Sequence, residues 1–585
     1  MERDTSEISL EASSYFFKSL NLGGEIKTPL LLIYPLKDLL KEEIALPQHA
    51  LTGEVEVLSV ATGWRGRAVI TVPGGEGEVG REVLKRRREA YLSGKPLEGR
   101  ILIEGGELPI ILPPAHTPPV KGFHSLIFKC ARRARITGEL LYSPHTATPE
   151  NAALHLYTGV DLVDNLATVR EVLEGYLYRG GRRVEGGEVL RLEEDELSGR
   201  LEEGTGELKR SLEGAYQEAL RGDLRLAAEV DSAKSVEGSL WLRDLDEGFP
   251  EEFERRAPAG GPRRWELPLR ESLRRPQVRR WAQRIKERYR PPKGKEILLL
   301  LPCSATKPYS FSPTHRLIRS ALGGIAGYSR VHEVILTSPL GVVPRELEEL
   351  WPASSYEVPV RGRWFQEEVE LIRELLGDLL KKGRYERVFW LLPAKELYDE
   401  IEDLAEMEVI FRGEWNLSGD ILKRAREVVE EALADREEIG EMVVREEITS
   451  LVFQMGEGAR ALGDGSRTAR RRDRRELLGK EGALARFLEG RGKHYLTLKG
   501  GMRLLQAHLN GLQAPVVEID DFHPKGKVFL QGIERAEESI RPGDEVVVVH
   551  GDEVRAVGEA RLPGEELKRG VYRGMGVKVR EALKG

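Results

Sequence analysis

Short apolar runs alternate with stretches of helical period along this chain of 585 residues. Runs at 30–34, 68–72 and 108–112 predict β-strands, and the stretch 150–157 predicts a helix. Gly and Pro break these runs often enough that the first section, 1–199, reads as a mixed α/β unit. Residues 192–226 are strongly charged with scattered leucines, a pattern for exposed helices. The residues Ala-Pro-Ala-Gly-Gly-Pro at 257–262 and a dense arginine series up to Arg290 then predict a linker and a basic helix, so that 200–292 forms a charged helical region closed by Pro291 and Pro292.

A second α/β unit is predicted over 293–436, where apolar runs at 297–301, 334–337 and 388–392 alternate with amphipathic stretches. Strand alternating with helix is the pattern of a parallel sheet with right-handed crossovers. Residues 437–513 read as a small α+β domain, within which 467–475 hold six arginines in nine positions. The tail, 514–585, changes character again. Its short runs at 516–519, 528–530, 545–550, 554–557 and 577–579, divided by Gly-containing turns, predict a compact β-barrel-like module. The fold class is therefore α/β multidomain, and at about 150 residues per domain the length agrees with roughly four units.

Composition narrows the function classes. The formal charge is -7 while 32% of residues are charged, so a nucleic-acid surface has to be a local patch. The two cysteines, Cys130 and Cys303, lie far apart, which argues against a disulfide framework and a Cys-x-x-Cys metal knuckle and favours a reducing compartment. No apolar run approaches the roughly 18 residues a membrane helix needs, and 1–9 are polar and acidic rather than a basic leader. A soluble, cytoplasmic protein with no resident metal or cofactor and no membrane partner is expected.

The richest chemistry follows the apolar run 297–301. There the chain reads Pro302, Cys303, Ser304, Ala305, Thr306, Lys307, Pro308, Tyr309, Ser310, Phe311, Ser312, Pro313, Thr314, His315. A polar loop at the carboxyl end of a buried strand is where open α/β sheets bind ligands. Amides of a following helix and the Lys307 charge would favour a Cys303 thiolate. His315, with an unperturbed pKa of about 6.5, is a candidate proton carrier. Pro308 and Pro313 restrict the backbone and reduce the entropy lost in holding these groups together. The plainer alternative makes Cys303 a small core residue, Tyr309 and Phe311 packing residues, and His315 the opening of a helix.

Position by position, Pro302, Cys303, Lys307, Pro308, Tyr309, Ser312 and His315 match the pattern Pro-Cys-x-x-x-Lys-Pro-Tyr-x-x-Ser-x-x-His without a gap. That loop resembles the archaeosine synthases, archaeal tRNA-modifying relatives of the tRNA-guanine transglycosylases. Upstream, Gly159, Asp161 and Asp164 resemble the Gly-x-Asp-x-x-Asp segment of transglycosylases, in which the second aspartate attacks the ribose; Asp164 is the matching position. Residues 540–546 and 556–558 resemble a PUA domain, an RNA-binding module. The three clustered cysteines and histidine of a transglycosylase zinc site are missing from the sequence, and 1–199 is short for a (β/α)₈ barrel of about 250 residues. The N-terminal unit is thus expected to be a reduced transglycosylase-like unit, turned from base exchange to binding.

The resemblance implies a reaction. Free lysine is joined through its side-chain amine to the nitrile of 7-cyano-7-deazaguanine in the D-arm of tRNA, and a radical-SAM partner protein cleaves the adduct to archaeosine. In this scheme Cys303 adds to the nitrile as a thioimidate, His315 is the base, and Lys307 or Tyr309 stabilises the developing nitrogen anion. Alternatively the loop binds the amino acid itself, with Lys307 pairing its carboxylate. Pro302, Pro308, Tyr309, Ser312 and Asp164 are the expected substrate-binding positions. Arg470, Arg471, Arg472, Lys525 and Lys527 are the expected RNA contacts, with the arginines of 274–290 as a further phosphate track. A base-exchanging transglycosylase and a noncatalytic tRNA-binding scaffold are the rival readings, and a homo- or hetero-oligomer is left open.

Overall fold

The structure, a computed structural model, describes residues 9–14, 17–23, 25–34, 53–71, 96–103, 106–113, 122–189, 191–359, 364–413, 417–471, 474–567 and 571–583. Residue 72, the end of one predicted strand, lies outside them. The chain divides into two compact units. One is 1–257 with 529–532 and 565–576; the other is 258–528 with 533–564 and 577–585.

The first unit is built on a closed barrel of seven strands: β1 (Leu30–Ile33), β2 (Gly53–Ser59), β3 (Arg65–Thr71), β4 (Leu97–Ile103), β5 (Gly106–Leu112), β6 (Leu140–Ser143) and β7 (Leu162–Asp164). Strands β1 to β5 run antiparallel to their neighbours, whereas β5, β6, β7 and β1 pair in parallel. Side chains of successive strand residues point to opposite faces, so β1, β2, β5, β6 and β7 feed two cores, while β3 and β4 turn their outer residues Val69 and Leu102 to solvent. Leu30, Leu32, Val57, Ile101, Ile110 and Leu162 fill one cluster. Leu31, Leu58, Ile111 and Val163 join the other, together with helix residues such as Phe128 and Leu208. Since helices pack outside a barrel, the first cluster is its lumen.

Helix α1 (Phe123–Thr137) joins β5 to β6 and ends at Gly138, whose φ of 83° is the left-handed cap that glycine adopts without strain. Helix α2 (Ala152–Thr158) joins β6 to β7. The charged stretch predicted as exposed helices is largely one helix, α3 (Glu194–Arg221). Its leucines are not scattered: Leu201, Leu208 and Leu212 fall on one buried stripe with Ala215 and Ala219.

The second unit holds a five-stranded sheet of β8 (Ile297–Pro302), β9 (Val331–Thr337), β10 (Gly341–Pro344), β11 (Arg387–Leu391) and β12 (Glu408–Phe411), in the order β10-β9-β8-β11-β12. All pairings are parallel except that of β9 with the edge strand β10. Every residue of β8 is buried, as expected of a central parallel strand covered on both faces. From β8 the chain goes first to β9 on one side and later to β11 on the other. That reversal places a crevice beyond the carboxyl end of β8, where Cys303 follows.

The basic helix is α4 (Pro276–Glu287), and much of its charge is used inside the unit. Val278, Trp281 and Ile285 are buried in the sheet core. The Arg275 guanidinium lies 5.2 Å from the Trp265 ring, and Arg280 donates to the Pro258 carbonyl at 3.1 Å. Arg284 stands 3.5 Å from Asp544. These contacts turn part of the expected phosphate track inward.

A four-stranded antiparallel sheet follows, and its first two strands, Arg467–Arg470 and Arg474–Gly479, are the arginine-rich run. Towards the C-terminus, Val516–Ile519 pairs antiparallel with Ile533–Ala536 and parallel with Glu545–His550, which pairs antiparallel with Glu553–Ala560. Among the described residues no helix is long and apolar enough to cross a membrane.

Candidate active site

Where β8 ends, Cys303 leaves the core and is half-buried. The Thr337 hydroxyl, at the end of the adjacent strand β9, and the Lys307 ammonium across the loop both pull the pKa of its thiol down. Lys307 is itself partly buried, with Nζ 4.0 Å from the centroid of the Tyr356 ring. The expected lowering of the thiol is not the net outcome. Burial pushes the Cys303 thiol up, and Lys307 and Thr337 only partly offset it. Burial likewise pushes Lys307 down, against the pull of Cys303. The two acidities thus move toward each other.

Beneath them lies a hydroxyl network. Tyr309 is fully buried; its phenol bonds to that of Tyr356 and donates to Thr337 Oγ1 at 3.3 Å, and Thr337 also bonds to Tyr356. Tyr309 therefore supports the floor below the sulfur, and its phenol is already engaged with Tyr356 and Thr337 rather than free for the nitrogen-stabilising role expected of it.

His315 is not placed as a base. It is fully buried on the first turn of helix α5 (Pro313–Leu322). Its Nε2–H donates to the Pro302 carbonyl at 2.9 Å, which leaves Nδ1 to accept from Arg345 Nη2 at 2.8 Å. Burial and the Arg345 charge hold it neutral, with its pKa pushed down to about 4. Both nitrogens are engaged, so His315 ties the residue before Cys303 to the helix after the loop.

The other motif residues serve the same geometry. Ser312 is the N-cap of α5, accepting from the His315 amide at 3.2 Å. The Pro308 carbonyl accepts from the Phe311 amide at 3.1 Å. Arg345 extends the frame: Nε donates to Glu333 and Nη1 to Glu348, each at 2.7 Å, and Glu348 in turn accepts from the Ser310 amide at 3.1 Å.

Beside Thr337 opens a cleft of about 510 Å³, part of it open to solvent. Thr337, Ser338, Arg270, Arg274, Glu367 and Glu368 line it. Glu368, at the start of helix α6 (Gln366–Lys382), is buried, accepts from Ser338 Oγ and from the Phe365 amide, and its charge reaches Cys303. Sequence reasoning did not single out Thr337, Ser338, Glu368 or Arg345. Thr337 carried the same signal as Cys303, since it closes a predicted strand; Arg345 carried none.

The remaining candidates lie elsewhere. Asp164 ends β7 in the barrel unit and is fully buried. Its carboxylate accepts from Tyr142 Oη at 2.7 Å, from the His145 amide at 3.0 and 3.1 Å, and from the Leu166 amide at 3.0 Å. Those bonds occupy the oxygens that a ribose-attacking aspartate would present. Arg470 and Arg471 are 72% and 64% exposed in their side chains, and pair at 3.1 Å with Glu489 and Glu476 respectively. Arg472 lies outside the described residues. Lys525 and Lys527 are exposed.

A family model for a domain of unknown function (DUF5591) matches residues 278–429, the span that contains the sheet and the cysteine loop, and a PUA domain model matches 519–583. The archaeosine synthase subunit alpha of Thermoplasma acidophilum is 34% identical over 356 residues, which are 60% of this chain and 66% of that protein. That of Methanosarcina acetivorans is 32% identical over 483 residues, 76% of this chain and 74% of the relative. The chain belongs to the archaeosine synthase family. A tRNA-guanine(15) transglycosylase from Methanothermobacter thermautotrophicus is also similar, 28% identical over 53% of this chain and 43% of its own length. As an archaeosine synthase family member, the chain combines an α/β multidomain fold with a C-terminal PUA domain, and its barrel has seven strands.

Proposed function

We propose that this chain is a tRNA-modifying archaeosine synthase that adds free lysine, through its side-chain amine, to the nitrile of 7-cyano-7-deazaguanine at the fifteenth nucleotide of tRNA. A radical-SAM partner protein then cleaves the adduct to archaeosine. The observation that carries this reading is the half-buried Cys303 beside Lys307, at the end of a central strand and next to a cleft.

The chemistry balances without an oxidant or reductant. With the thiol raised and the ammonium lowered, the two acidities approach each other, and Lys307 in its neutral amine form takes the Sγ proton to become the ammonium. The thiolate attacks the nitrile carbon: a C–S bond forms, one C–N π bond breaks, and Lys307 returns the proton to the nitrogen, giving a thioimidate. The lysine substrate's ε-amine then adds to the same carbon. The C–S bond breaks and sulfur regains a proton from the new nitrogen, leaving an amidine. Two easier steps replace one attack on a poor electrophile.

In this account Pro302, Pro308, Ser312 and Tyr309 are positioning residues, and His315 holds the loop instead of moving protons. The PUA domain, Arg470, Arg471, Lys525 and Lys527 are the proposed tRNA contacts, with Arg472 a further candidate. The satisfied carboxylate of Asp164 favours a binding role for the barrel over base exchange. Mass spectrometry of nitrile-bearing tRNA incubated with the protein and isotopically labelled lysine tests the reading. A gain equal to one lysine supports it, and exchange of the base without any such gain would replace it with a transglycosylase.

A further inference from the structure

The cleft beside Cys303 has charged groups of opposite sign at its two ends. Its inner end is Glu368, a carboxylate only 9% exposed. Glu368 is fixed by Ser338 Oγ and by the Phe365 amide, the latter at 2.6 Å, and is close enough to Cys303 for its charge to oppose ionisation of the thiol. The outer wall carries Arg270 and Arg274, both facing Glu367. Arg270 spends Nε and Nη2 on that carboxylate, at 3.2 and 2.9 Å, and its guanidinium lies 5.4 Å from the Phe365 ring. Nη1 of Arg270 has no partner among the described residues. Thr337 belongs both to the cleft lining and to the surroundings of the sulfur.

We infer that this cleft is the subsite for the amine donor, and that it selects an amino acid with charges at both ends: Arg270 and Arg274 bind the α-carboxylate and Glu368 receives the side-chain ammonium beside Cys303. The inference rests on the lysine-addition reading. It follows from the chemistry of the ends. A guanidinium pair on an exposed wall is suited to a carboxylate, which it grips through directed N–H groups. A buried carboxylate next to the reacting sulfur is suited to an ammonium that must reach that point and lose a proton there. The ammonium also neutralises Glu368, removing the negative charge that opposes the thiolate. Donor binding thereby eases ionisation of Cys303 without being required for it, since burial is the larger obstacle.

The test compares three amines on nitrile-bearing tRNA: lysine, 1,5-diaminopentane, which lacks the carboxylate, and 6-aminohexanoate, which keeps it but lacks the α-amine. Wild type is expected to prefer lysine over diaminopentane by roughly 10- to 100-fold in kcat/KM, the range of one or two charge-assisted hydrogen bonds. It should accept 6-aminohexanoate better than diaminopentane. The double variant Arg270→Ala, Arg274→Ala is expected to bring the preference for lysine over diaminopentane below about threefold, and Arg270→Lys with Arg274→Lys, which keeps both charges, to restore part of it, with circular dichroism showing that both variants are folded. An unchanged preference would overturn the inference. So would a loss confined to tRNA affinity, which would make the two arginines phosphate contacts. Failure of wild type to form an adduct with any of the amines would instead remove the underlying lysine-addition reading.

Discussion

His315 Nε2 lies 2.9 Å from the carbonyl oxygen of Pro302, joining the helix after the reactive loop to the last residue of the strand before it. Cys303 is the next residue. The backbone leading into it is thus anchored by a histidine whose other nitrogen is already filled by Arg345.

A buried neutral histidine leaves a signature in stability against pH. His315 has its folded pKa pushed down to about 4 from an ordinary 6.5, so between these values the unfolded chain binds more protons. Its contribution is complete above about pH 6.5 and is lost as pH falls towards 4. His124, His155 and His494 are also lowered, so the comparison is with a variant. Denaturation of His315→Gln across that window is expected to show a shallower fall in stability than wild type. The activity of wild type should have no limb attributable to this residue in the same range; equal stability slopes would return His315 to the proton chemistry.

Thiol reactivity reports the balance at Cys303. Burial raises it and Lys307 lowers it, so alkylation monitored by mass spectrometry should have its midpoint above the ordinary thiol value of 9.0. Replacing Lys307 with Met should move that midpoint higher still, because the opposing positive charge is gone. Cys130, buried in α1 and pushed up to about 12, serves as the slow internal control.

Arg345 is the joint of the frame. It meets His315, Glu333 and Glu348, and both carboxylates are buried. Arg345→Met leaves them without their cation, at a cost of about 3–5 kcal/mol in unfolding free energy. The same change releases the Ser310 end of the loop through Glu348, so lysine addition should fall in the fraction that remains folded.

Much of this frame was invisible in the sequence for a physical reason. The strand at 297–302 is legible because six consecutive buried residues make an unbroken apolar run, and the loop is legible because its polar residues follow it directly. Arg345 lies 30 residues from His315 and becomes its partner only when β9 and β10 pair with each other in the sheet. Glu368 depends on where α6 starts. The arginines of 274–290 show the opposite failure: their density suggested a phosphate track, while Arg275 and Arg280 are buried against Trp265 and Pro258. Charge along a sequence does not reveal which face of a helix is already occupied.

The arginines that remain exposed give a separate test on RNA. For every phosphate no longer neutralised, the slope of log affinity against log salt should fall by roughly one. Arg470→Ala with Arg471→Ala is expected to weaken tRNA binding and flatten that slope, with the same amino-acid preference as wild type. Their ion pairs with Glu489 and Glu476 are on the surface, so stability should change little.

The central claim is a covalent bond between Cys303 and the nitrile carbon. Incubation of the protein with nitrile-bearing tRNA in the absence of lysine, followed by peptide mapping, should reveal a nucleotide-derived mass on the peptide that carries Cys303, and added lysine should discharge it. If no such species forms while Cys303→Ala still joins lysine to the tRNA at the wild-type rate, the thioimidate route is contradicted.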